Sequence, residues 1–155
     1  MSACNGFATV ELVQSLVVGG GATGFTPEGG MYITLINDTG VTSVKGTIVI
    51  ASITLDKAVR VAPSNSDSPI GIIYEDGIAN GQLVKIVVCG NAEVLLKNTV
   101  SGIRGYWVGV SNVAGRAYQE INPPSTTEHN RELGHCLENK AAGTNILCLI
   151  NLHWN

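Results

Sequence analysis

The stretch from Ser68 to Leu96, SPIGIIYEDGIANGQLVKIVVCGNAEVLL, constrains this chain most. Runs of Ile, Val and Leu are separated by Asp76-Gly77, Asn80-Gly81 and Gly90-Asn91. Such pairs accept positive φ and reverse a chain. The pattern predicts a β-meander whose last hairpin closes at Gly90-Asn91. In that hairpin Cys89 faces Ala92 and Val87 faces Val94. One face then carries Val87, Cys89, Ala92, Val94 and Leu96. The other carries Val84, Ile86, Val88 and Leu95, with Glu93 at its end. Both faces are mainly apolar, whereas an antiparallel sheet with one wet face alternates. The hairpin is therefore expected to be covered on both sides, by a second sheet of the domain or by another subunit.

The strand pattern extends in both directions. Met31–Asn37, Thr47–Leu55 and Ala58–Ala62 precede a polar loop, Pro63–Pro69. Tyr106–Val110, Arg116–Ile121, Gly134–Glu138 and Ile146–Trp154 follow the meander. Ser125 with Glu128 fits a capping box and predicts one helical turn. In the last strand the even positions, Ile146 to Trp154, are all apolar. Its odd positions change from Leu147 and Leu149 to Asn151 and His153, so its far end is expected to reach solvent or a neighbour. Many short strands and no long helix define an all-β domain, a small antiparallel β-barrel or sandwich.

Residues 1–30 differ in kind. Phe7 to Val18, FATVELVQSLVV, fits a helical stripe at Val10, Val13 and Val17, while its β-branched content favours a strand. GGGATGF and TPEGG then read as a flexible hinge. The apolar segment is either an extended arm that adds a strand to a neighbour's sheet edge or a first strand of the same sheet. The division is thus an arm and hinge over 1–30 and a β-domain over 31–155.

Composition bears on partners. Of 155 residues 45% are hydrophobic and 14% charged, where about a quarter charged is usual. Either apolar surface is covered by another copy or a partner, or Ser, Thr and Asn coat a monomer. A net charge of −3 with scattered basic residues argues against nucleic acid. No apolar run approaches the ~20 residues of a membrane-spanning helix. The N-terminus shows no basic segment followed by an apolar core, so no secretory leader is expected. Cys4, Cys89, Cys136 and Cys148 form no CxxC. They are expected to be free thiols in a reducing cytoplasm, with Cys89 and Cys148 acting as small hydrophobes.

Chemistry is sparse. His129, Glu132, His135 and Cys136 are the right types for zinc, but H-E-x-x-H is absent and Gly134 interrupts any helix that would align them. Their alternative is a His capped by local backbone and a buried Cys. Cys136 beside His135 is no nucleophile–base pair, because neighbouring strand residues point to opposite faces. Glu75-Asp76 serves better as a turn than as paired acids. GGGATG lacks the Lys and Ser/Thr of a phosphate loop. Trp107 and Trp154 could stack sugar rings or anchor an interface. No catalytic residue, metal or cofactor is expected.

The phrases INDTGVTSVKGTIV, SPIGIIYEDGIANGQLVKIVVCGNAEVLL, RGYWVGVSNVAGRA, EHNRELGHCLE and AGTNILCLINLHWN resemble capsid decoration proteins of tailed bacteriophages, also called cement or head-stabilising proteins. Similar modules occur in phage fibres and tail-associated proteins that attach to host glycans. The resemblance covers roughly residues 31–155. It implies a β-barrel or β-tulip-like domain, usually a trimer, made in the host cytoplasm and seated on the outer capsid of the virion. It implies the major capsid protein and further copies of itself as partners, and no active site. On this reading Phe7, Val10, Leu12 and Val13 of the arm contact the capsid or a neighbouring subunit. Val84, Ile86, Val88, Trp107 and Trp154 are candidates for a subunit interface.

Overall fold

A computed structural model of the chain describes residues 22–153. Its strands are β1 (Thr23–Phe25), β2 (Gly30–Asn37), β3 (Ile48–Ala51), β4 (Ala58–Val61), β5 (Gly71–Ile73), β6 (Leu83–Leu95), β7 (Trp107–Val110), β8 (Ala117–Glu120), β9 (Glu132–Cys136) and β10 (Leu147–Leu152). One 3-10 turn, His129–Arg131, precedes β9. No α-helix occurs among the described residues. The strands form one sheet in the order β1-β2-β4-β3-β5-β6-β10-β9-β7-β8. A further pairing of β2 with β6 brings β2-β4-β3-β5-β6 back on itself.

The centre is β6, 13 residues long. The hairpin expected at Gly90-Asn91 does not form, because the chain runs straight through these residues. Gly90 takes φ +78° and lies opposite Gly30 of β2. A Cβ on Gly90 would sit 2.4 Å from the Gly29 carbonyl oxygen and 3.1 Å from Gly30 Cα. Asn91 Nδ2 donates to the Glu28 carbonyl at 3.0 Å, and Asn91 N donates to the Gly29 carbonyl at 3.2 Å. Gly90 and Asn91 therefore dock the β1–β2 turn instead of reversing the chain. There β6 also changes neighbours. Leu83 to Gly90 pairs with β2, and Gly90 to Leu95 pairs with β10.

The facing pairs differ accordingly. Val87 lies opposite Tyr32 and Ile72, while Ala92 and Val94 lie opposite Ile150 and Cys148. The expected burial of both faces holds, and the chain itself supplies the cover. Val87, Ala92, Val94 and Leu96 enter a large core with residues such as Ile48 and Ile150. Val84 and Ile86 enter a smaller one with Val49, Val59 and Ile73. Each large side chain fully buried there stabilises by about 1.5–3 kcal/mol. Val84 and Ile86, named from sequence as candidates for a subunit interface, are both 0% exposed inside their own domain. Val88 is half-buried beside the smaller core.

Two further differences concern the ends of elements. Residues 22–30, read from sequence as part of a hinge, form β1 and a tight turn in which Thr26 Oγ1 accepts from Gly30 N at 3.0 Å. Strand β3 stops at Ala51, short of the expected Leu55, because side-chain bonds draw the chain out of the ladder. Ser52 Oγ and Thr54 Oγ1 both donate to Asp38 Oδ2, at 2.5 and 3.1 Å. The Leu55 N–H donates back to Ser52 Oγ at 3.2 Å. Cys89 is disulfide-bonded rather than free, while Cys136 and Cys148 are free and buried. Phe7, Val10, Leu12, Val13 and Trp154 lie outside the described residues.

Gly90→Ala should therefore cost on the order of 2–4 kcal/mol, combining left-handed strain with a backbone clash. Gly77→Ala is the control. Gly77 has φ +83° but open space where a Cβ would stand, so about 1–2 kcal/mol is expected. Urea titration of both variants checks the difference, and equal losses would contradict the docking role of Gly90.

Candidate functional site

The residues with the most chemistry gather where β7, β9, the 3-10 turn and the end of β10 meet. A bulge creates this site. Val108 pairs with Gly134, but the next residue of β7, Gly109, pairs with Glu132. Leu133 is the extra residue. It drops into the core at 0% exposure. Without the bulge, Glu132 and His135 would project from opposite faces. With it, both share the face of Trp107, which lies opposite His135. Gly134 permits the tight crossing, since a Cβ there would meet the Asn151 carbonyl oxygen at 1.8 Å.

All three histidines of the chain converge here. The Glu132 side chain is 1% exposed, and His129 Nδ1 lies 2.8 Å from its Oε2. His153 Nδ1 lies 3.2 Å from Oε1. His153 Nε2 and His135 Nδ1 share a hydrogen bond of 2.9 Å. The Trp107 ring covers both, with centroids 4.1 Å from His135 and 5.9 Å from His153. The backbone fixes the arrangement, because His153 N donates to the Leu133 carbonyl at 2.9 Å. Of the capping box expected upstream only half forms: Ser125 N donates to Glu128 Oε2 at 3.2 Å, while Ser125 Oγ donates to the same oxygen at 2.7 Å instead of capping a backbone N–H. That bond, with the Ser125 backbone N–H, holds the Glu128 carboxyl below its usual pKa.

The residues singled out from sequence are thus partly united. His129, Glu132 and His135 belong to one cluster. Cys136 does not: it points into the core, where its Sγ meets Cys148. Sequence reasoning left out His153. Its signal was the switch from leucine to polar residues at the odd positions of the last strand. Among the described residues no group of three or more His, Cys, Asp or Glu has the geometry to hold a metal. The cleft beside the cluster, walled by Trp107, Tyr118, Pro124 and Glu128, offers about 10 Å³, the space of a single water. Larger depressions of about 220 and 250 Å³ lie by Val41 and Thr47 and by Lys97 and Arg131. Both are smaller than the ~300 Å³ at which small-molecule sites begin. Trp107 is half-buried under the imidazoles rather than presented as an open platform.

What the cluster can do is respond to protons. The bond between His135 Nδ1 and His153 Nε2 needs one ring nitrogen to donate and the other to accept. Burial holds the His153 pKa below its ordinary value, with His135 and His129 adding to the effect and Glu132 opposing it.

No protein-family model matches the chain, and no curated protein matches it in sequence.

A histidine whose folded pKa is depressed contributes stability above its unfolded value, about 6.5. That stability is lost as pH falls through the folded value. The melting temperature should fall between pH 7.5 and 5.5, and His153→Gln should flatten that fall. Scanning calorimetry across this range is the check, and identical slopes would refute it.

Proposed function

We propose that this chain is a structural virion protein that binds the outer surface of a tailed-phage capsid and stabilises the lattice as a cement or decoration protein. On this reading the circuit β2-β4-β3-β5-β6 is the barrel of a β-tulip-like domain, and the working unit is a trimer. The partners are the major capsid protein and further copies of the chain.

The observation that carries the reading is an ordered loop that offers apolar side chains to solvent. Between β3 and β4, Ser52 and Thr54 are bonded to Asp38. Ile53 and Leu55 on the same loop are 76% and 45% exposed. Phe25, Val41 and Ile121 are each more than 60% exposed elsewhere. A chain with only 14% charged residues and several large exposed apolar groups has surface suited to a protein partner. The phrase resemblance over residues 31–155 supplies the kind of partner. A ligand that binds only the assembled shell stabilises it by mass action, and many copies on one lattice act together.

Mixed with empty expanded capsids of a tailed phage, the protein should co-sediment and raise the temperature at which the shells disrupt. Ile53→Ser with Leu55→Ser should weaken that binding at least tenfold while leaving the melting temperature of the free protein nearly unchanged. Absence of both co-sedimentation and shell stabilisation would overturn the proposal.

A further inference from the structure

We propose that Cys136 and Cys148 are a redox pair that closes to an intrachain disulfide between β9 and β10 when the protein meets a small-molecule disulfide. The two sulfurs lie 2.8 Å apart. A disulfide measures roughly 2.0 Å, while non-bonded carbon atoms, smaller than sulfur, keep about 3.5–4.0 Å. The sheet brings the thiols together. Cys136 lies opposite Ile150, and Cys148 is two residues from Ile150 on the same face, so the thiols meet on the diagonal. Neither side chain has room to turn away. Cys136 and Cys148 are 1% and 0% exposed. Gly102 closes over Cys148, for a Cβ there would be 2.9 Å from Sγ. Cys136 Sγ also donates to the Glu138 carbonyl at 3.0 Å.

The reaction is two thiol–disulfide exchanges. One cysteine thiolate attacks the small disulfide, forming a mixed disulfide and releasing one thiol. The second cysteine then attacks the protein sulfur, forming the Cys136–Cys148 bond and releasing the second thiol. Two electrons pass to the oxidant, and the two cysteine protons leave on the released thiols. Burial raises the Cys148 thiol far above its ordinary pKa, so little thiolate exists in the closed sheet. Exchange therefore waits for local opening of β9 from β10. The same shielding then keeps reductant from the finished bond. The pair behaves as a slow lock rather than as a fast sensor.

The test is peptide mapping of the full chain. Trypsin cuts after Arg131 and Lys140, so Cys136 lies in the peptide 132–140 and Cys148 in the one that begins at Ala141. After incubation of the native protein, its Cys89 disulfide intact and Cys136 and Cys148 as thiols, with oxidised glutathione, the two peptides should appear joined, lighter by two hydrogens than their sum. The melting temperature should rise by roughly 5–10 °C, the effect of closing a short loop in a domain of this size. Cys148→Ser should abolish both the joined peptide and the rise. Recovery of both peptides unlinked after prolonged oxidation would overturn the proposal, as would an undiminished rise in Cys148→Ser.

Discussion

The close approach of two backbones at Gly30 and Gly90 is the constraint on which the architecture rests. Neither position has space for a side chain: at Gly30 a Cβ would meet the Asn91 carbonyl oxygen at 2.3 Å. Because the strands can touch there, β6 need not turn. It passes from the partnership with β2 to that with β10 without interruption. One strand is thus common to the large core and to the smaller one. Val84 and Ile86 serve the smaller core, and Val87, Ala92 and Val94 serve the larger one.

Most strands were legible from alternation and turn residues. Gly30–Asn37, Ala58–Val61, Trp107–Val110 and Ala117–Glu120 fall within a residue or two of the runs that mark them. The single turn before β9 was readable from Ser125 and Glu128. The error at Gly90-Asn91 is instructive, because the sequence signal was sound. A Gly that tolerates positive φ serves a hairpin or an uninterrupted strand equally well. Which one forms depends on whether another backbone must come close, and that is a fact about Gly29 and Gly30, sixty residues upstream. Strand β3 ended early for a similar reason, since its stop signal is the distant carboxylate of Asp38.

The histidine cluster was half visible. His129, Glu132 and His135 attracted notice by residue type, but strict alternation sends Glu132 and His135 to opposite faces. The bulge at Leu133 overturns that parity, and no propensity scale marks it. Gly134 was read as a helix breaker, whereas its role is to let the chain cross against Asn151. His153 joins from the last strand, beyond the reach of any local motif. The scarcity of charge was legible. Part of the apolar content fills two internal cores, and only the remainder, such as Ile53 and Phe25, faces outward.

The split partnership of β6 also fixes an order of events during synthesis. Its first half can pair with β2, already emerged from the ribosome. Its second half has to wait for β10, which is translated more than fifty residues later. Until then Ala92, Val94 and Leu96 lack the layer that shields them, and the open edge of β6 can pair with other chains. A chain halted between these two strands therefore exposes both an apolar face and an unpaired edge that the finished fold conceals.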